Sequence, residues 1–93
     1  MQIIIVGCGN VGATLTEQLS KEGHNITVID VDGYRTEAVA NQYDVMGIVG
    51  NGASLTVQKE AGIEDADLMI AVTASDELNP RRVHSPMLAS HLA

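Results

Sequence analysis

Ninety-three residues amount to one small domain or to part of a larger one, and a hydrophobic content of 45% is sufficient to fill a core. The formal net charge of −7 argues against a nucleic-acid surface, which needs Lys and Arg to neutralise phosphates, and against docking on anionic lipid. The single cysteine, Cys8, excludes an intrachain disulfide and a cysteine-based zinc site, and it fits a reducing cytoplasm. The first apolar run stops at Gly7, which is too short for a signal peptide or a membrane span.

Strand and helix patterns alternate along the chain. A β-branched run predicts a strand over Gln2–Val6, and apolar residues at helical spacing predict a helix over Val11–Lys21 that ends before Gly23. The same criteria predict, in order, a strand at Asn25–Asp30, a helix at Tyr34–Tyr43, a strand at Val45–Val49, a short helix at Ser54–Ala61 and a strand at Asp67–Val72.

This alternation predicts an α/β fold with a Rossmann-type parallel sheet in the order 3-2-1-4, truncated after the fourth strand. Residues 1–79 form the predicted domain, and residues 80–93 are a tail that is atypical because it is polar and holds both prolines. Ser85 as N-cap and Pro86 at the first helical position predict a short helix over Met87–Leu92. An unpaired fourth strand would invite pairing between chains, so we expect a homo-oligomer.

The segment from Gly7 to Gly12 has the pattern G-x-G-x-x-G between a predicted strand and a predicted helix. Gly7 permits the tight turn, Gly9 lets the backbone approach a pyrophosphate, and Gly12 allows close packing of helix on strand. The backbone amides of Cys8, Asn10 and Val11 are then expected to face the phosphates. The alternative is a glycine turn that binds no ligand.

Asp30 ends the second predicted strand at about the 20-residue offset that a dinucleotide site requires. Its carboxylate would accept hydrogen bonds from both adenosine ribose hydroxyls and repel a 2′-phosphate, which favours NAD over NADP. Arg35 is expected to lie over the adenine or reach the phosphates, or else to be an ordinary surface arginine.

The later strand ends should face the same ligand, since nucleotides bind at the carboxyl edge of such sheets. Asn51 offers an amide to the base, and Gly52 and Ala53 complete that loop, unless it is an ordinary turn. Thr73 is expected beside the pyrophosphate and the second ribose, and it can also serve as part of a helix N-cap. The candidate cofactor-binding residues are Gly7, Cys8, Gly9, Asn10, Val11, Gly12, Asp30, Val31, Arg35, Asn51, Gly52, Ala53 and Thr73.

The sequence shows no catalytic constellation and no metal site. His24, His84 and His91 are far apart, and each is expected at the surface. Asp76 and Glu77 are expected to form an acidic first helical turn.

Several segments resemble the TrkA-type nucleotide-binding domain, the N-terminal lobe of regulators of potassium conductance. The resemblance covers residues 1–79, and its most specific parts are A-G-I-E-D-A-D from Ala61 to Asp67 and T-A-S-D-E-L-N from Thr73 to Asn79. It also includes Val28–Asp32 and Val49–Ser54.

The resemblance implies a non-enzymatic regulatory domain that binds NAD(H) or ATP/ADP and gates potassium uptake by a ligand-dependent conformational change. It further implies dimers or larger assemblies on a membrane potassium transporter subunit, at the cytoplasmic face, without membrane insertion. Two alternatives stay open: the cofactor-binding fragment of an NAD-dependent oxidoreductase, and an assembly module with a vestigial nucleotide site.

Overall fold

The computed structural model describes residues 1–72 and 87–89. Its strands are β1 (Gln2–Val6), β2 (Asn25–Asp30), β3 (Met46–Val49), β4 (Leu68–Ala71) and β5 (Met87–Ala89). Its helices are α1 (Asn10–Lys21), α2 (Gly33–Tyr43) and α3 (Leu55–Glu60), with a short 3-10 turn at Ile63–Asp65.

The sheet order is β3-β2-β1-β4-β5. β1 pairs in parallel with β2 and with β4, and β2 pairs in parallel with β3. The predicted parallel Rossmann-type arrangement 3-2-1-4 is therefore confirmed. Because these strands all run the same way, the loops that follow them lie at one edge of the sheet, where the predicted site residues are found.

The outer edge of β4 differs from the expectation. Met87–Ala89 form a strand that pairs antiparallel with β4, with Met69 opposite Ala89. The predictions of a helix over these residues and of an unpaired fourth strand are therefore wrong. The backbone N–H and C=O groups at the outer edge of β4 would otherwise be unpaired, and this extended segment supplies their hydrogen-bond partners. The pairing outweighs the local sequence preference for a helix.

The core has two layers, one on each face of the sheet. α1 and α2 cover the face that includes Ile3, Ile5, Ile26 and Val28, and Leu15 and Leu19 of α1 pack there as their spacing predicted. α3 and the 3-10 turn cover the other face, which is built from Ile4, Ile29, Ala61, Ile63 and Ala66. Burial on both faces explains why β1 and β2 are continuous β-branched runs.

The 3-10 turn was not predicted from the sequence. α3 ends before Gly62, whose φ of 86° lies in the left-handed region, and the turn that follows buries Ile63 beneath the sheet. Because the turn adds Ile63 to the core, a helix of only six residues is sufficient to cover this face of the sheet.

Candidate functional site

The candidate site lies at the carboxyl edge of the sheet. The glycine turn follows β1, Asp30 and Asp32 follow β2, and the loop from Gly50 to Ala53 follows β3. Thr73, after β4, lies outside the described residues, as do His84, His91, Asp76 and Glu77.

Gly7 makes the turn from strand to helix in a conformation that favours glycine, with a φ of 114°. Its amide donates to the carbonyl oxygen of Ile29 over 2.7 Å, which continues the pairing of β1 with β2. A Cβ at this position would stand 3.0 Å from the carbonyl oxygen of Val72. The turn therefore depends on the absence of a side chain at Gly7.

The N-terminus of α1 carries open hydrogen-bond donors. Its N-cap, Gly9, has no side chain, and the first helical bond runs from the Ala13 amide to the Gly9 carbonyl over 2.8 Å. Among residues 1–72, the amides of Asn10, Val11 and Gly12 have no hydrogen-bond acceptor, and of these three residues only Gly12 is buried. No acidic side chain stands in the first turn to neutralise the positive end of the helix dipole. The arrangement can bind an anion.

Asp30 is half-buried, and both of its carboxylate oxygens accept backbone amides. Oδ2 accepts the Cys8 amide over 2.7 Å, and Oδ1 accepts the Asp32 amide over 2.9 Å. The Cys8 amide is therefore held by Asp30 and does not point into open space, which differs from the sequence expectation. A carboxylate has about four lone-pair positions, so each oxygen retains capacity for a further donor such as a ribose hydroxyl.

The side chains after β2 lie at the surface. Val31 is 72% exposed. Arg35 is exposed on the first turn of α2, with its Nε 3.7 Å from Asp32 Oδ2. Asp32 caps α2 by accepting the amides of Tyr34 and Arg35. The carboxylate of Asp32 thus occupies the N-terminus of α2, next to Arg35.

The loop after β3 is held by its own hydrogen bonds. The Ala53 amide donates to Asn51 Oδ1 over 2.9 Å, and Gln58 Nε2 donates to the Gly52 carbonyl over 2.8 Å. Because Asn51 Oδ1 is engaged, its side-chain NH₂ is the group left to face a ligand. A Cβ on Gly52 would overlap Cγ1 of Val6, so this glycine is required by packing on β1.

Sequence reasoning missed Asp32 and Gln58. An aspartate just before a helix is an ordinary N-cap signal, so Asp32 was recognisable. The contact of Gln58 with the Gly52 carbonyl joins a helix to the loop before it, and no sequence pattern indicates it.

The rest of the described chain contributes neither a histidine nor a metal-binding cluster to this edge of the sheet. His24 lies in the turn before β2, at the opposite edge, with its Nδ1 3.0 Å from the Met1 amine. Within residues 1–72, no group of three or more His, Cys, Asp or Glu side chains is placed to hold a metal ion. None of the helices described here has both the length and the apolar composition that a membrane span requires.

A parallel 3-2-1-4 sheet, with a glycine-rich turn leading into a helix whose N-cap has no side chain, defines a Rossmann-like domain of the nucleotide-binding class. The chain belongs to the TrkA-N domain family, whose match spans residues 3–85. This membership confirms the resemblance inferred from the sequence.

The chain is similar to several potassium uptake proteins. It is 46% identical over 79 residues to the Trk system potassium uptake protein TrkA of Halomonas elongata, covering 85% of this chain and 17% of that protein. It is 44% identical to the TrkA of Haemophilus influenzae over the same shares of both chains. It is 37% identical to a TrkA homolog of Methanothermobacter thermautotrophicus, of which it covers 37%. The chain thus spans well under half the length of these curated relatives.

Among solved structures, the fold is similar to the TrkA-N domain of the inner membrane protein ybaL from Escherichia coli. The TM-score is 0.71 at 26% identity, over 77% of this chain and 53% of that chain.

Proposed function

We propose that this chain binds an adenine nucleotide across the carboxyl edge of the sheet. The observation that carries the proposal is the pair of unbonded amides at Asn10 and Val11, which follow the turn that the carboxylate of Asp30 holds through the Cys8 amide. The amides suit a pyrophosphate, and the remaining lone pairs of Asp30 suit the hydroxyls of the adenosine ribose.

The other candidate residues take supporting roles in this proposal. Val31 and Asn51 would face the base, Arg35 would lie over it or reach the phosphates, and Thr73 would approach the second ribose. Gly7, Cys8, Gly9, Gly52 and Ala53 would let the backbone come close to the ligand.

The proposed ligand is NAD or NADH, with ATP or ADP as the alternative. All of these carry an adenosine ribose with free hydroxyls and a chain of phosphates. NADPH carries a 2′-phosphate where Asp30 would meet it, and two like charges in contact repel each other. We therefore expect NADPH to bind more weakly than NADH.

We further propose that the chain is a regulatory domain of a potassium-uptake system and that its nucleotide is an effector that undergoes no reaction. The names of the relatives support this role. Binding would gate transport insofar as the nucleotide favours one conformation over another. The domain would act as a homo-oligomer on a membrane potassium transporter subunit at the cytoplasmic face. β5 covers the β4 edge, so the oligomer is proposed from the family alone.

Calorimetric titration with NAD, NADH, ATP, ADP and NADPH tests the proposal. The variant Asp30→Ala should weaken NAD binding by about tenfold or more, since a hydrogen bond to a charged group is worth about 1.5–3 kcal/mol. The control is Glu37→Ala, which removes an equal charge from the exposed face of α2. A nucleotide at about 100 times its Kd should also add about 2.7 kcal/mol to the free energy of unfolding.

The possible results of the titration distinguish the proposed function from its two alternatives. If no adenine nucleotide binds, the proposal is wrong, and an assembly module is favoured. If Asp30→Ala binds NAD as tightly as the wild type, the ribose assignment is wrong. Steady oxidation of NADH with any substrate favours the oxidoreductase alternative.

A further inference from the structure

The Asp30 carboxylate joins two backbone segments that precede different helices. Through Oδ2 it holds Cys8, in the turn that leads into α1, and through Oδ1 it holds Asp32, which caps α2. Hydrogen bonds to a charged acceptor are about twice as strong as neutral ones. One side chain therefore ties the starts of α1 and α2 to the end of β2.

The turn needs such a tie because glycines flank Cys8 on both sides. Gly7 and Gly9 give the backbone more conformational freedom than any other residue would, and ordering that backbone costs entropy. The Gly7 amide is bound to the carbonyl of Ile29, and the amide of the next residue is held by the carboxylate of Asp30. The direction of the open α1 amides depends on how this turn is held.

We infer that Asp30 is a positioning residue for the phosphate-binding turn, in addition to its proposed contact with the ribose. It holds the turn in its binding shape before the nucleotide arrives, so the phosphates meet amides that are already ordered. The inference deepens the proposed function and rests on it for the identity of the ligand.

The positioning role and simple electrostatics predict opposite results for the same variant. Asp30→Asn removes a negative charge near the proposed phosphate site, and by Coulomb attraction alone this would strengthen the binding of an anionic nucleotide. In asparagine an NH₂ group replaces one of the two oxygens that these amides bind, so either the Cys8 amide or the Asp32 amide loses its acceptor. Positioning therefore predicts weaker binding, even for a nucleotide that has no ribose hydroxyls.

The test measures the affinities of ADP and of 2′,3′-dideoxy-ADP for the wild type, Asp30→Asn and Glu37→Gln. Glu37→Gln is a matched control, since it removes the same charge from an exposed position of α2 outside the candidate site. We expect Asp30→Asn to weaken the binding of dideoxy-ADP by about tenfold, and Glu37→Gln to leave it within about twofold of the wild type.

Unchanged or tighter binding of dideoxy-ADP by Asp30→Asn overturns the positioning role. If ADP is weakened in that same case, the proposed nucleotide site stands and Asp30 contacts only the ribose. If the wild type binds neither nucleotide, the proposed function fails.

Hydrogen exchange of the nucleotide-free wild type tests the hydrogen bond between the Cys8 amide and Asp30 directly and needs no variant. After correction for intrinsic rates, the Cys8 amide should exchange its hydrogen at least about tenfold more slowly than the open amides of Asn10 and Val11. Equal exchange rates overturn the inference, whatever the titrations show.

Discussion

The carbonyl oxygen of Gly7 lies directly against the Cα of Gly12, so that a Cβ on Gly12 would overlap that oxygen. No side chain can be accommodated there without a shift of the backbone. The first turn of α1 is thereby pressed onto the end of β1. This contact brings the open amides of α1 to the edge of the sheet, next to Asp30.

Gly12→Ala should destabilise the chain by about 3 kcal/mol, the upper end of what overpacking usually costs. The atom in the way belongs to the backbone of a tight turn and cannot move aside as a long side chain would. Urea unfolding of the nucleotide-free protein measures the effect.

Gly23→Ala is the comparison for that prediction. Gly23 has a φ of 87°, and a Cβ added there would meet nothing within 4 Å, so only backbone strain of about 1–2 kcal/mol is expected. A loss at Gly12 no larger than the loss at Gly23 would contradict the steric explanation.

Gly52→Ala should destabilise the nucleotide-free chain by about 1–3 kcal/mol, because its Cβ would meet Val6. A double-mutant cycle with Val6→Ala identifies the cause, since residues in contact are not additive. In the Val6→Ala background the same change should cost under about 1 kcal/mol. An equal cost in both backgrounds would show that Gly52 is required for another reason.

The two capped helices should respond differently to loss of their caps. Asp32 accepts amides at 2.9 and 3.2 Å, whereas Ser54 accepts one amide, from Val57, at 3.4 Å. Asp32→Ala should therefore cost about 1–2 kcal/mol of unfolding free energy and Ser54→Ala about 0.5 kcal/mol. Thermal or urea unfolding ranks the two variants, and the reverse order would contradict the geometry.

Asp67→Ala should cost about 1 kcal/mol of unfolding free energy, because Asp67 Oδ2 accepts the Gln2 amide over 2.8 Å at the start of β1. Asp65→Ala is the control, since its side chain is exposed and a surface change of that kind usually stays within about 0.5 kcal/mol. Equal effects of the two variants in urea unfolding would show that the hydrogen bond from the Gln2 amide to Asp67 does not stabilise the fold.

Local patterns in the sequence were sufficient for β1 to β4 and for α1 to α3, but not for the 3-10 turn or for β5. The predicted bounds Gln2–Val6 and Asn25–Asp30 coincide with β1 and β2, because runs of β-branched residues that stop at glycine or aspartate leave little freedom in where a buried strand ends. The order 3-2-1-4 was expected from the Rossmann-type arrangement that such alternating strands and helices adopt. The glycine pattern and Asp30 were likewise visible, since their spacing is a property of one βαβ unit.

Only the tertiary structure decided which atoms those residues meet. That Asp30 holds the Cys8 amide, that Gly52 packs on Val6 and that Met87–Ala89 pair with β4 all depend on segments distant in the chain. The sequence by itself determines periodicity and backbone preference, which act over a few neighbouring residues. Hydrogen bonds and steric contacts act over a few ångströms in space, and only the folded chain brings those partners together.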